Sequence, residues 1–267
     1  MKVQVRGEGN GRMVVPALAS AAPYSSRLSA RSALYTDLSI LLGAAGGLLP
    51  SDEYRSLVME ENCLARPSTS ARRKIWEQLK SRYILDAGHP LFAGFWTEWT
   101  KSVSEQEHGL TAYCLLALHD RLFADLSTEL LFPLLRRAPT ALAVGDIQAF
   151  LERSARAHPE VGDWSEQTKK ALAQKYAASI RDFGLAKGMV RKTTIRPALY
   201  GAPVRLLVRA LRLAGASDME IVGAPIFRLL ALEGPEIIDA FGELNRQGAL
   251  RFRMQGDIIE LNIEGNR

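Results

Sequence analysis

The stretch Trp164–Arg196 reads WSEQTKKALAQKYAASIRDFGLAKGMVRKTTIR. Its first half predicts a helix. Ser165 is placed to cap free backbone N–H groups, and Glu166 suits the positive end of the helix dipole. Leu172, Tyr176, Ile180 and Phe183 make one apolar stripe, with Lys169, Lys170, Lys175 and Arg181 mostly on other faces. Gly184 stops the helix. Lys187-Gly188 then reads as a turn, with Met189-Val190 and Thr193 to Ile195 β-prone. A helix closed by glycine and followed by a basic hairpin is the outline of a winged helix.

The C-terminal region repeats that outline. Pro203 starts a helix that Gly215 ends. Ser217 with Glu220 forms a capping box, Gly223-Ala224-Pro225 interrupts, and Ile226 to Leu232 resumes. Pro235 opens a helix whose Ile237, Ile238, Phe241 and Leu244 face inward, and Gly248 stops it. Leu250, Phe252 and Met254 then alternate with Arg251 and Arg253, Gln255-Gly256-Asp257 turns the chain, and Ile259, Leu261 and Ile263 alternate again.

Upstream, the pattern is helical from Ser32 to His158, with helices predicted over 32–43, 52–63, 70–85, 91–101, 105–119, 122–136 and 145–157. Short loops between them favour a bundle. Residues 1–26 are rich in Gly, Ser, Ala and Pro and read as a flexible arm. Its Gly7, Gly9 and Gly11 lack the Lys-Ser/Thr that a phosphate loop requires. The expected fold is mainly α: a compact multi-helix bundle with winged-helix-like elements and one or two short β-hairpins. The expected organisation is an arm (1–26), a helical domain (27–140), a basic helix–hairpin module (141–200) and a C-terminal winged-helix-like module (201–267).

The 267 residues carry 47% hydrophobic side chains, enough for a sizeable core. No run approaches the ~20 uncharged apolar residues of a membrane helix. Nothing at the N-terminus resembles a secretory signal, and the two cysteines, Cys63 and Cys114, fall in no paired motif. A cytoplasmic protein with reduced thiols is expected. The histidines, His89, His108, His119 and His158, lack metal-ligand spacing, and no nucleophile elbow, Walker loop or kinase signature is present. No catalytic residue, metal site or cofactor is expected.

Charge is the stronger signal. Net charge is +5, but Ser165–Gly215 holds eleven Lys/Arg against two acids, and Ala216–Arg267 five against nine. Three basic groups invite a polyanion. Arg72, Arg73 and Lys74 stand in the first turn of a helix, where each cation is disfavoured by about 0.3–1 kcal/mol unless an anion sits there. Side chains curling into solvent or meeting neighbouring acids explain them equally well. Lys169, Lys170 and Lys175 on the helix, with Lys187, Arg191, Lys192 and Arg196 from the hairpin, suit a nucleic-acid backbone. Arg205, Arg209 and Arg212 make a stripe along one helix face that an acidic partner would serve as well as phosphate. The helix at 235–247 turns Glu236, Asp239 and Glu243 outward, so the C-terminal module is expected to meet protein, or DNA only through Arg251 and Arg253 of its wing.

Glu61-Asn62-x-Leu64-x-Arg66 followed by Ser68-Thr69-Ser70-x-Arg72-Arg73, then His158-Pro159 to Trp164-Ser165-x-x-Thr168, Gly184-Leu185 and Pro197-Ala198-Leu199, taken in order, resemble the BrxA family over roughly 30–260. BrxA is the small helical component of BREX bacteriophage-exclusion systems. The resemblance implies an all-α protein with helix-turn-helix elements that binds double-stranded DNA without catalytic activity, beside separate methyltransferase, ATPase and phosphatase-like components. The leading expectation is therefore a non-enzymatic DNA-binding and assembly subunit whose partners are duplex DNA and other defence subunits, with no membrane. Two alternatives remain: a scaffold whose basic stripe docks an acidic partner, and an RNA-binding protein.

Overall fold

From Gly109 to Leu118 every residue of one helix is buried. A helix apolar around its whole circumference has to be enclosed by others, and this one is the axis of a mainly α fold. The computed structural model describes residues 13, 15–19, 22–256 and 258–263. In chain order the helices are α1 (Tyr35–Ala45), α2 (Ser51–Met59), α3 (Thr69–Tyr83), α4 (Pro90–Trp99), α5 (Glu105–His119), α6 (Arg121–Asp125), α7 (Phe132–Arg136), α8 (Val144–Ser154), α9 (Glu166–Asp182), α10 (Gly201–Leu213), α11 (Asp218–Val222) and α12 (Pro235–Arg246). α5 is the axis; α3, α4, α6, α10 and the 3-10 turn Pro16–Leu18 pack around it. Buried apolar side chains from Val15 to Ile263 form one continuous core.

The helix expected over 122–136 is interrupted by a π-helical turn, Leu126–Leu131, between α6 and α7. The cause is Pro133, which has no N–H to donate and whose ring crowds the preceding turn. Widening that turn lets Phe132 N–H reach the Ser127 carbonyl and carries the helix past the proline.

Among the described residues five short strands complete the fold: β1 (Ala141–Leu142), β2 (Ala186–Lys187), β3 (Lys192–Thr194), β4 (Arg251–Gln255) and β5 (Ile258–Asn262). The first three form an antiparallel sheet ordered β1-β3-β2, with Ala141 opposite Thr193 and Ala186 opposite Thr194. β4 and β5 form the expected C-terminal hairpin, held to α12 by edge-on packing of Phe252 against Phe241 and of Phe241 against Phe227. Met189-Val190, expected in a strand, lies in the turn between β2 and β3.

The arm expected to be flexible is not so where it is described. Val15, Ala17 and Tyr24 are buried. Arg121 donates to the carbonyls of Ala17 (3.2 Å) and Ala19 (3.1 Å), the Tyr24 hydroxyl donates to Asp125 at 2.8 Å, and its ring stacks on His158 at 3.5 Å. Farther on, the buried Arg82 donates to the carbonyls of Arg27, Arg31 and Ser32. Backbone with little apolar side chain is thus held by arginines reaching its carbonyls. The Gly7–Gly11 turn lies outside the described residues.

Two buried acids of the bundle attach α10. Glu98 of α4, with 0% exposure, accepts from Arg205 Nε at 2.5 Å and from Arg209 Nε at 2.8 Å. Glu107 of α5 accepts from Ala202 N–H at 3.0 Å, satisfying a free donor in the first turn of α10. Breaking a buried ion pair from one side leaves an uncompensated charge, so Glu98→Ala is expected to lower stability by about 3–5 kcal/mol in a urea melt, and Glu98→Gln by less.

His119 gives the fold a pH dependence. Burial, with His89 and Arg27 nearby, lowers its pKa from 6.5 to about 4. Below pH 6.5 the unfolded chain gains a proton that the folded chain refuses until about pH 4, so stability is full above 6.5 and lost across that window. The loss attributable to His119 is about 3 kcal/mol. Neighbouring Asp120, pushed up by burial, acts with the opposite sign. Melting temperatures of wild type and His119→Gln at pH 7 and pH 4.5 are expected to diverge at pH 7 less than at 4.5, the variant falling less on acidification.

Candidate nucleic-acid interface

α9 is positioned by its own cap and by the bundle. Ser165 accepts from Thr168 N–H, as its place in the sequence predicts. The inward face, Leu172, Ala173, Tyr176, Ala177 and Ile180, is buried against α8 and the turn Ser26–Ser29. At its C-terminal end the Phe183 carbonyl crosses α5 so closely that a Cβ on Gly109 would stand 3.1 Å from that oxygen. Any larger residue at 109 would crowd that carbonyl and push the two backbones apart by a few tenths of an ångström.

The exposed side of α9 is narrow. Gln167, Lys170 and Gln174 lie three and four residues apart on it. Toward the C-terminal end comes Arg181, whose Nη1 donates to Met189 Sδ at 3.1 Å in the β2–β3 turn. Helix and hairpin therefore present one continuous surface. Lys187 and Arg191 are exposed in it, and Lys192 donates from Nζ to the Met189 carbonyl at 3.1 Å. Among the described residues Lys170, Lys175, Lys187, Arg191 and Lys192 make no ion pair. Gln167 and Gln174 carry neither charge nor apolar periodicity to mark them in the sequence, and Met189-Val190 reads there as strand rather than as an exposed turn.

Other expected site residues are placed elsewhere or already occupied. Lys169 pairs with Glu166 at 2.8 Å. Arg196 pairs with Glu236 at 3.4 Å, and Glu236 also pairs with Arg136; the hydrogen bond from Arg136 holds the Glu236 carboxyl below the usual carboxylate range. One expected phosphate ligand and one expected partner-facing acid thus neutralise each other. Glu243 pairs with Arg246, while Asp239 is exposed.

The arginine stripe needs the largest correction. Arg205, 7% exposed, and Arg209 turn inward onto Glu98, and Arg212 donates to Asp218 and to the Leu261 carbonyl. Regular spacing had suggested an outward face; the carboxylate that draws these side chains in lies more than a hundred residues upstream.

The cations at the start of α3 find a different role. Arg72 Nη1 donates to the Met59 carbonyl at 2.6 Å, at the last residue of α2. A cation unfavourable at one helix's N-terminus is favourable at another's C-terminus. Arg73 and Lys74 remain exposed. This group belongs to α3, which packs on α2 and α5, whereas the lysines of the helix–hairpin surface belong to α9, which packs on α8, β2 and the Ser26–Ser29 turn. Arg251 and Arg253 are exposed on β4.

Among the described residues no group of three or more His, Cys, Asp or Glu is placed to hold a metal, and no helix is long and apolar enough to cross a membrane. Cys63 and Cys114 are free thiols.

The class defined so far is a mainly α protein with a cationic helix-and-hairpin surface. The family model for BrxA matches residues 22–210, and the chain belongs to the BrxA family, a component of BREX phage-defence systems with other defence components as its expected partners. The matched residues include α9 and the β2–β3 hairpin and end inside α10, before α11, α12 and the C-terminal hairpin. A search of curated proteins gives no match.

The turn that shapes this surface depends on Gly188. Its φ is +99°, and a Cβ there would lie 2.2 Å from the Arg191 carbonyl. Gly188→Ala is expected to open the hairpin at a cost of about 1–3 kcal/mol confined to it. Amide exchange at Lys187, Thr193 and Thr194 is expected to accelerate by about tenfold or more, while protection in α5 stays unchanged.

Proposed function

We propose that this chain is a non-catalytic double-stranded DNA-binding subunit of its BREX system, gripping the duplex through α9 and the β2–β3 hairpin. The observation that carries this reading is the order of elements. α6 with α7, β1, α8, α9, β2 and β3 follow the sequence helix–strand–helix–helix–strand–strand, and the sheet runs β1-β3-β2. That order is like a winged helix's and supports the reading; in this proposal α9 takes the part of the helix that enters the major groove. Within Ser165–Gly215 the cations without an ion-pair partner sit on that helix and on the wing, where phosphates would flank the groove.

Lys170, Lys175, Lys187, Arg191 and Lys192 are five phosphate ligands at most, fewer than the 6–8 that the linear sequence invites. Log affinity against log salt is then expected to fall with a slope of roughly −4 to −5. Among the described residues the C-terminal module is a second helix–hairpin unit without an equivalent of β1, and its α12 carries acids; in this proposal it faces other subunits.

One observation favours the scaffold reading: the apolar turn residues Met189 and Val190 are exposed beside the cations. Charge reversal at Lys187, Arg191 and Lys192 separates the two. Gel-shift titrations with duplex DNA are expected to show binding reduced at least a hundredfold in the triple variant, with complex assembly retained. Duplex binding that survives reversal while assembly fails supports the scaffold. An RNA competitor that outcompetes duplex DNA supports the third alternative.

A further inference from the structure

The turn between β2 and β3 carries two apolar side chains with no apolar surroundings. Val190 is 98% exposed and Met189 76% exposed. A lone exposed apolar side chain is ordinary on a protein surface, but these two are adjacent at one tip and make a small contiguous patch, the kind of surface that marks a contact site. Here Lys187 and Arg191 flank the tip, so a partner that covers it must tolerate or welcome two cations. The tip is also fixed. Gly188 supplies the left-handed φ of +99°, Lys192 Nζ holds the Met189 carbonyl at 3.1 Å, and Arg181 holds the Met189 sulfur at 3.1 Å. A loop that only bridged two strands would need none of these contacts to its apex.

We infer that Val190, with Met189 behind it, is a wedge that enters the minor groove of duplex DNA and partly unstacks one base step, bending the duplex. The inference rests on the DNA-binding reading above and adds a mode of contact to it. Its chemistry is that of minor-groove proteins, which insert an apolar side chain between bases while neighbouring cations neutralise the phosphates on either side. The minor groove is about 6 Å wide, so it admits a side chain at a hairpin apex but not a helix. With α9 in the major groove, the adjacent wing falls over the neighbouring minor groove, and the Arg181–Met189 contact fixes the distance between the two. A flexible pyrimidine–purine step, the cheapest to kink, is the expected point of entry.

The test uses the full chain and a duplex of about 30 base pairs carrying a donor and an acceptor dye at its ends, with 2-aminopurine beside a central TA step. The double variant Met189→Ser/Val190→Ser removes no charge and replaces only exposed side chains. Wild type is expected to raise energy transfer and 2-aminopurine emission on binding. The variant is expected to bind with affinity reduced by about tenfold or less, with the same salt slope, and with both signals lost. A wild-type complex that leaves the duplex straight and stacked overturns the wedge while leaving DNA binding intact. So does a variant that bends the duplex as wild type does, including one that fails instead to join other defence subunits, which would make the tip a protein-docking element. Failure of wild type to bind duplex at low salt overturns the DNA-binding reading itself, and the wedge with it.

Discussion

Glu98 is shut off from water, and two arginines hold it. A lone carboxylate in that position would be unfavourable by several kcal/mol. The pairs with Arg205 and Arg209 make it tolerable, and Arg205 passes the constraint on, donating from Nη1 to the Ala249 carbonyl just before β4. α4, α10 and the approach to the C-terminal hairpin are thus joined by one charge cluster. Even the residue at the start of α10 conforms: a Cβ on Gly201 would meet the Arg205 guanidinium at 2.5 Å. The C-terminal module is therefore registered on the bundle by directional bonds as well as by apolar packing, which alone would allow sliding.

That cluster also changes the meaning of the charge distribution. The window Ser165–Gly215 has a net charge of +9, yet Arg205 and Arg209 are spent on an acid from outside the window and Arg196 on Glu236. Lys169 and Arg181 meet acids within one turn. The sum along the chain is blind to direction, whereas phosphate binding depends only on cations that point outward without a partner. What remains is a smaller charge, and it is gathered on α9 and one hairpin. A concentrated charge on one rigid element orients a duplex better than a larger charge scattered over the molecule.

The elements legible in the sequence were those specified by local chemistry. Ser165 and Ser217 each cap a helix, and the Ser217–Glu220 capping box forms as its spacing requires. The alternation from Leu250 to Ile263 gives a hairpin with its register centred on the Gly256 turn. What escaped was set by distant partners. β1 is two residues long and exists because β3 pairs with it. Residues 15–26 lack periodicity, and Ala17, Ala19 and Tyr24 among them are held by Arg121, Asp125, His158 and Glu160. The stripe at 205, 209 and 212 has the spacing of a surface stripe and of a buried one alike; Glu98 decides for Arg205 and Arg209, and Asp218 with the Leu261 carbonyl takes Arg212. Within the candidate interface, the lysines were legible as charge, but their separation into paired and unpaired members required the fold.

The apex of the first hairpin joins these threads. The proposed wedge works only if its position relative to α9 is fixed, since a mobile tip would lose the energy of insertion to its own ordering. The fixing runs inward from the tip: Met189 to Arg181 on α9, then along α9 to Phe183, whose carbonyl rests on Gly109 of the axial helix. Each link is short and directional or sterically tight. The most exposed apolar residue of the surface is thereby tied, through one helix, to the most enclosed element of the core. A patch meant only to dissolve in water would need no such tie, and a cationic hairpin meant only to lean on phosphates would place Lys or Ser where Val190 stands.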